Sequence, residues 1–99
     1  MIAFIQENFA EKLTLENIAD SAAVSTRECL RCFRSAIHQS PMDYLIEYRV
    51  RSAKKLLETT DLPITEIALN SGFENMSYFI RQFKHYRGCT PSVFRQERH

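Results

Sequence analysis

Four side chains in the last third of the chain, Ser77, Ile80, Arg81 and Lys84, recur at the i, i+3, i+4, i+7 spacing that places them on one face of a helix. Their types suit the edges of DNA bases. Arginine grips guanine N7 and O6 with two hydrogen bonds, serine serves any base edge, an aliphatic group packs on a thymine methyl, and lysine meets phosphate. The plain alternative is a surface helix with an ordinary charged face, because such helices also occur without nucleic acid. Phe79 and Phe83 stand four apart and fall on the other, core-facing side.

The stretch that positions this face is ITEIALNSGFENMSYFIRQFKHYRGCTP, Ile64 to Pro91. A first helix is expected from Ile64 to Ser71, opened by Pro63, whose fixed φ suits a first helical position, with Glu66 early enough to complement the helix dipole. Gly72 ends it, since glycine adopts a positive φ without steric cost. Asn75 then caps a second helix running to about Tyr86. Helix, tight turn, helix is the grammar of a helix-turn-helix.

The first third of the chain repeats that grammar. Ile18, Ala19, Ala23 and Val24 match Ile67, Ala68, Gly72 and Phe73 at an offset of about 49, and after one inserted residue Arg31, Phe33 and Arg34 match Arg81, Phe83 and Lys84. A short packing helix is expected first, over Ile2 to Phe9, with Ile2, Ile5 and Phe9 on one stripe. Thr14 then caps a helix from Leu15 to Ala22, with Ile18, Ala19 and Ala22 on its buried side. Ser25 and Glu28 form an S-x-x-E capping box that opens a helix to about Ile37. Its exposed face carries Arg27, Leu30, Arg31 and Arg34, and its core side Cys29, Phe33 and Ile37.

Between the two copies, Ser40-Pro41 with Asp43 starts a long helix that continues to about Thr60. At 1.5 Å per residue it reaches roughly 30 Å, close to the ~34 Å between successive major-groove openings on one side of B-DNA. Leu45, Val50, Ala53, Leu56 and Leu57 form its apolar side, and Arg49, Arg51, Lys54 and Lys55 its charged one. After Thr90-Pro91 a last short helix braces the second copy through Val93 or Phe94, while Arg95, Arg98 and His99 read as a solvated end. The expected organisation is all-α: residues 1–39 and 61–99 as two helix-turn-helix subdomains, joined by the linker helix of residues 40–60.

Composition agrees with a helical protein: 99 residues hold only two glycines and three prolines. The net charge of +1 hides a strong pattern. One basic residue stands against four acidic ones in residues 1–26, seven against three in 27–55, none against four in 56–80, and five against one in 81–99. Folded onto one side, the two basic blocks give a basic face and an acidic back, the electrostatic footprint of a DNA-binding protein. No apolar run approaches the ~18 residues of a membrane span and no signal-peptide pattern opens the chain, so a cytoplasmic protein is expected.

Three cysteines, Cys29, Cys32 and Cys89, are an odd count that argues against structural disulfides. The Cys29-x-x-Cys32 pair lacks the second pair or spaced histidines of a tetrahedral metal site, and Cys29 falls at a core position. No metal or cofactor is expected. Nor is an enzyme, since no Gly-rich phosphate loop, paired carboxylates or Ser/His/Asp set is present. The rival to DNA binding is a helical protein–protein interaction module. It differs in its salt response, because each phosphate neutralised adds about −0.9 to the log–log slope of affinity against salt.

GFENMSYFIRQFKHYRGCTPSVFR, with Gly72-Phe73, Tyr78-Phe79, Arg81, Phe83-Lys84, Gly88, Thr90-Pro91 and Arg95 in register, resembles the second helix-turn-helix signature of the AraC/XylS family of bacterial transcription regulators. The linker YLIEYRVRSAKKLL matches as well, and the resemblance runs from about Ile2 to Arg95. It implies seven helices, with two helix-turn-helix subdomains that bind adjacent major-groove segments of double-stranded DNA and usually activate transcription through RNA polymerase. It also implies base contacts from Arg27, Leu30 and Arg31 in the first copy and from Met76, Ser77, Ile80 and Arg81 in the second. Arg34, Arg49 and Lys84 are placed for phosphates or for structural pairing. Many relatives carry a separate effector-binding or dimerisation domain, and this stretch contains nothing like one.

Three departures fall in the first copy. Ala23 and His38 stand where the family usually has glycine, and Cys29 where it has leucine. A left-handed residue at Ala23 carries a penalty of order ~1 kcal/mol. The first copy is therefore expected to be less stable, or to read DNA more loosely, than the second.

Overall fold

The computed structural model describes residues 1–97, and all regular structure within them is helical. Seven helices follow in order among these residues: α1 (Ile2–Asn8), α2 (Leu15–Asp20), α3 (Thr26–Ile37), α4 (Pro41–Thr59), α5 (Ile64–Asn70), α6 (Met76–Arg87) and α7 (Pro91–Gln96). The chain divides into two compact units, the first Met1–Tyr48 and the second beginning at Arg49, so the division falls inside α4.

The starts of α2, α3, α4 and α6 have a local cause. The Thr14 and Ser25 hydroxyls accept from the backbone N–H of Asn17 and Glu28, each at 3.1 Å, the Ser40 hydroxyl from Asp43 at 3.1 Å, and the Asn75 side chain from Tyr78 at 2.9 Å. Each satisfies one of the donors that a helix N-terminus leaves open. Pro41 and Pro91 occupy the first positions of α4 and α7, where no N–H is needed, and both are buried.

The first unit closes around Ile5, Ile18, Ala19, Cys29, Phe33 and Leu45, all essentially buried. In the second, Val50, Ala53, Leu57, Ile67, Ala68, Phe73, Phe79 and Phe83 are buried. The Phe79 ring lies 5.0 Å from Phe73 and 5.9 Å from Phe83, and Phe83 lies 5.6 Å from Phe94. These tilted and edge-on geometries are the ones aromatic quadrupoles favour. Phe94, not Val93, is thus the bracing side chain of α7; Val93 is exposed.

The two turns are built alike. In the first, Val24 N–H donates to Ala19 C=O at 3.1 Å; in the second, Phe73 N–H donates to Ala68 C=O at 2.9 Å. Both are the 6→1 bond that closes a helix through a left-handed residue. That residue is Gly72 at φ +93° in the second turn and Ala23 at φ +55° in the first. The ends of α6 and α3 repeat the contrast, with Gly88 at φ +81° and His38 at φ +58°. Two positions that only glycine fills without strain are held by Cβ-bearing residues, both in the first unit. Ala23→Gly and His38→Gly are each expected to stabilise the first unit by about 1 kcal/mol. Thermal unfolding would then rise by roughly 4–8 °C per variant, and a fall in the midpoint would show that the strain is relieved in some other way.

Four local expectations need correction. Ala22 is exposed rather than buried, because α2 stops at Asp20 and Ala22 lies in the turn, off the helical face that carries Ile18 and Ala19. The Ser25 box is only half made: Ser25 caps Glu28 N–H, but the Glu28 carboxylate turns to Arg31 instead of returning to the backbone. The full reciprocal box is at Thr14 and Asn17, where the Asn17 side chain accepts from Thr14 N–H at 3.0 Å. Pro63 sits one position before α5 with an extended ψ of 147° and does not take its first helical position.

The fourth concerns Arg95, which is not a solvated end. Its guanidinium donates to the C=O of Leu62 at 2.6 Å and of Thr60 at 3.3 Å, tying α7 back to the segment that leads into α5. A planar cation with several N–H donors can serve both carbonyls at once. Arg98 and His99 lie outside the described residues.

Candidate nucleic-acid interface

α3 and α6 have the same construction. Both are 12 residues long, both start from a side-chain cap, and both end on a left-handed residue, at an offset of 50 throughout. Cys29 and Phe33 in α3 correspond to Phe79 and Phe83 in α6, and all four are buried. With the inner rows fixed by packing, the outer rows follow from the 3.6-residue period.

On α6 the outer row is Ser77, Ile80, Arg81 and Lys84, all exposed, with Met76 half-buried at the first turn. The structure brings these together on one face. The Arg81 guanidinium carbon lies 5.9 Å above the centre of the Tyr78 ring, a cation–π contact that leaves the N–H donors available. On α3 the outer row is Arg27, Leu30, Arg31 and Arg34, again all exposed. Leu30 and Ile80 are large apolar residues that face solvent, 42% and 37% exposed.

Arg31 is held within its own helix. Its Nη2 donates to both Glu28 carboxylate oxygens at 2.7 Å, and this hydrogen bond pushes the Glu28 carboxyl below its ordinary range and the guanidinium above its own. Cys32 contacts the same carboxylate at 3.6 Å. Burial pushes the Cys29 thiol up, which makes it a core filler rather than a nucleophile.

Arg49 differs from the other candidate cations in being only half-exposed. Burial lowers the pKa of its guanidinium, while Tyr78 and Glu74 act in the opposite sense through their charges. Tyr78 is absent from the sequence-based candidates, although an aromatic residue three positions before an arginine on a helix is a readable stacking signal. Sequence reasoning gives Glu28 only a capping role, and its i, i+3 spacing to Arg31 is the missed sign.

The comparisons with known proteins bear on the same elements. A family model described as "Helix-turn-helix domain" matches residues 18–97. The solved DNA-binding domain of AdpA, a global transcriptional factor in complex with a target DNA, superposes with a TM-score of 0.92 at 33% identity, over 96% of this chain and 86% of that one. A regulator from Chromobacterium violaceum, described as AraC-type, superposes with a TM-score of 0.91 at 28% identity, over 97% of this chain and 86% of that one.

The chain belongs to the AraC family.

It is an AraC-type helix-turn-helix DNA-binding domain of the kind found in transcription regulators. Among curated relatives, the AdaA protein of Bacillus subtilis, a bifunctional transcriptional activator and DNA repair enzyme, is 41% identical over 94% of this chain but only 44% of its own length. The AraC-family domain spans about a third to under a half of the length of the first curated relatives it matches. Among the described residues no helix is long and apolar enough to cross a membrane, and no group of three or more His, Cys, Asp or Glu side chains could hold a metal ion.

Proposed function

We propose that this AraC-family domain binds double-stranded DNA sequence-specifically by laying α3 and α6 in two adjacent major-groove segments. The observation that carries the reading is the duplicated outer row: two capped 12-residue helices of one design, each exposing an aliphatic residue and basic residues at the same positions. An interaction surface for a single protein partner has no reason to occur twice at an offset of 50 residues.

In this reading Arg27, Leu30 and Arg31 touch bases in the first half-site, and Met76, Ser77, Ile80 and Arg81 in the second. Arg34 and Lys84, one turn further along, take phosphates and set position. Arg49, half-buried with Glu74 and Tyr78 acting on it, is assigned the other of its two expected roles, pairing within its own unit. The subdomains are residues 1–39 and 61–99, joined by residues 40–60. The domain acts in the cytoplasm as part of a transcription activator that touches RNA polymerase, with effector binding or dimerisation supplied by a further domain. The activator named among its relatives supports this, as does their greater length.

Selection of a randomised duplex pool by the purified domain at moderate salt tests the proposal. Two enriched boxes about 10 bp apart are expected, one helical turn on one face of the duplex. No enrichment by a folded sample would overturn it in favour of a protein-binding helical module.

A further inference from the structure

Phe79, Phe73, Tyr78 and Arg81 form a line of contacts that runs from the core of the second unit to its surface. Phe79 and Phe73 are buried, with ring centres 5.0 Å apart. Phe73 in turn packs against the Tyr78 ring at 6.2 Å. Tyr78 is 37% exposed, and the Arg81 guanidinium carbon lies 5.9 Å from the centre of its ring. The backbone of Tyr78 is fixed as well, because its N–H donates at 2.9 Å to the Asn75 side chain that opens α6. A residue held both by a helix cap and by a buried phenylalanine is a firm support for the longer, more flexible side chain over it. Arg81 makes no ion pair among the described residues, so no carboxylate draws it elsewhere.

We infer that Tyr78 is a positioning residue for sequence reading: its ring holds the Arg81 guanidinium at the place from which that group meets its base. The inference rests on the proposal that Arg81 contacts a base. Stacking on a ring face occupies none of the guanidinium's N–H donors, so the support stays in place while the donors bind and nothing has to be displaced. An arginine loses much conformational freedom when it is fixed to a partner, and a side chain already confined in the free protein loses less. The benefit depends on place and not on the number of donors. Base edges form the floor of the major groove and phosphates its rim, and both accept two donors from a guanidinium. A group confined to one position suits one of the two and must leave the ring for the other. Ser77 and Ile80, on the same row, are the proposed neighbours at the floor, and Lys84 reaches the rim.

The test compares binding of the domain to the duplex selected from the random pool and to a scrambled duplex of equal length. Tyr78→Leu removes the ring face and keeps an apolar group against Phe73. Tyr78→Phe removes only the hydroxyl, the group through which Tyr78 acts on Arg49. Thermal unfolding checks that both variants fold. Tyr78→Leu is expected to weaken binding to the selected duplex about two- to fivefold, the worth of an exposed cation–π contact. It should also relax the preference at the same base position that Arg81→Ala relaxes, while Tyr78→Phe retains both affinity and preference. In the Arg81→Ala background Tyr78→Leu should have no further effect, a coupling that a merely structural role would not show. In the unmutated domain bound to the selected duplex, nuclear Overhauser contacts between the Tyr78 ring and the Arg81 side chain should persist, a readout that does not depend on either variant.

Loss of those contacts on binding would overturn the inference, since Arg81 would then leave the ring to reach DNA. So would unchanged affinity and preference for a folded Tyr78→Leu, with Arg81→Ala still relaxing one base position; base reading by Arg81 would then stand without Tyr78. A loss that persists without Arg81 would mean that the ring touches DNA itself or shapes the helix, and an equal loss in Tyr78→Phe would assign the effect to the hydroxyl; either result overturns the inference. If Arg81→Ala weakened both duplexes equally, the base-reading role of Arg81 would fall first, and the inference with it.

Discussion

Arg81→Ala is expected to cost about 1–3 kcal/mol against the selected duplex and to relax the preference at one base position. Arg81 is exposed on the outer row of α6, in the second turn of the helix, and its guanidinium is steadied by Tyr78 without being neutralised. Removing a pre-oriented side chain from a base edge takes away discrimination as well as affinity, because the wrong base never satisfied both donors. Lys84→Ala gives the contrast. It should weaken selected and scrambled duplexes alike and flatten the salt slope by about 0.9, the signature of one phosphate left unneutralised. Equal losses on both duplexes for Arg81→Ala would sink its assignment as a base reader.

The largest effect on stability is expected at Phe83. The side chain is fully buried, lies in edge contact with Phe79 and Phe94, and stands directly behind the outer row of α6. Phe83→Ala should cost about 3–5 kcal/mol, the transfer term plus the cavity left behind. Domains of this size have total stabilities of about 5–15 kcal/mol, so such a loss is a large share of the whole. Amide hydrogen exchange on α5, α6 and α7 is the measurement, since it reads the second unit without averaging over the first. A loss under about 1 kcal/mol would mean that neighbouring side chains collapse into the space, contrary to the usual stiffness of packed interiors. Phe83→Leu, which keeps most of the volume, should cost distinctly less.

α6 thus has a buried row that holds it and an exposed row that is left for the proposed contact with DNA. That separation is legible in the residue types, because buried and exposed rows alternate with a period fixed by the backbone. Phe33 and Phe83 can be placed inside, and Arg31 and Arg81 outside, from spacing alone. The caps at Thr14, Ser25, Ser40 and Asn75 are equally legible, as are the glycine-type turns, because each depends on groups within five residues of one another. The resemblance to a known family adds the number of helices and a set of candidate DNA-touching residues.

What lies beyond the sequence are choices among several available partners. The Glu28 carboxylate is within reach both of its own helix cap and of Arg31, and the structure puts it on the cation. Arg95 reads as a chain end in sequence, yet its partners are 33 and 35 residues away and come within hydrogen-bond distance only once α7 is seated. Phe94 rather than Val93 packs on Phe83, a choice set by the direction in which α7 leaves Pro91. Ala22 has the spacing of a core position, but α2 ends two residues before it. The sequence by itself determined the duplicated helix-turn-helix pattern and the two rows of each reading helix, since helical period, capping and left-handed turns are local properties of the chain. Only the tertiary structure decided the long-range partners, such as the Leu62 and Thr60 carbonyls that hold Arg95, because groups 33 and 35 residues apart meet only on folding.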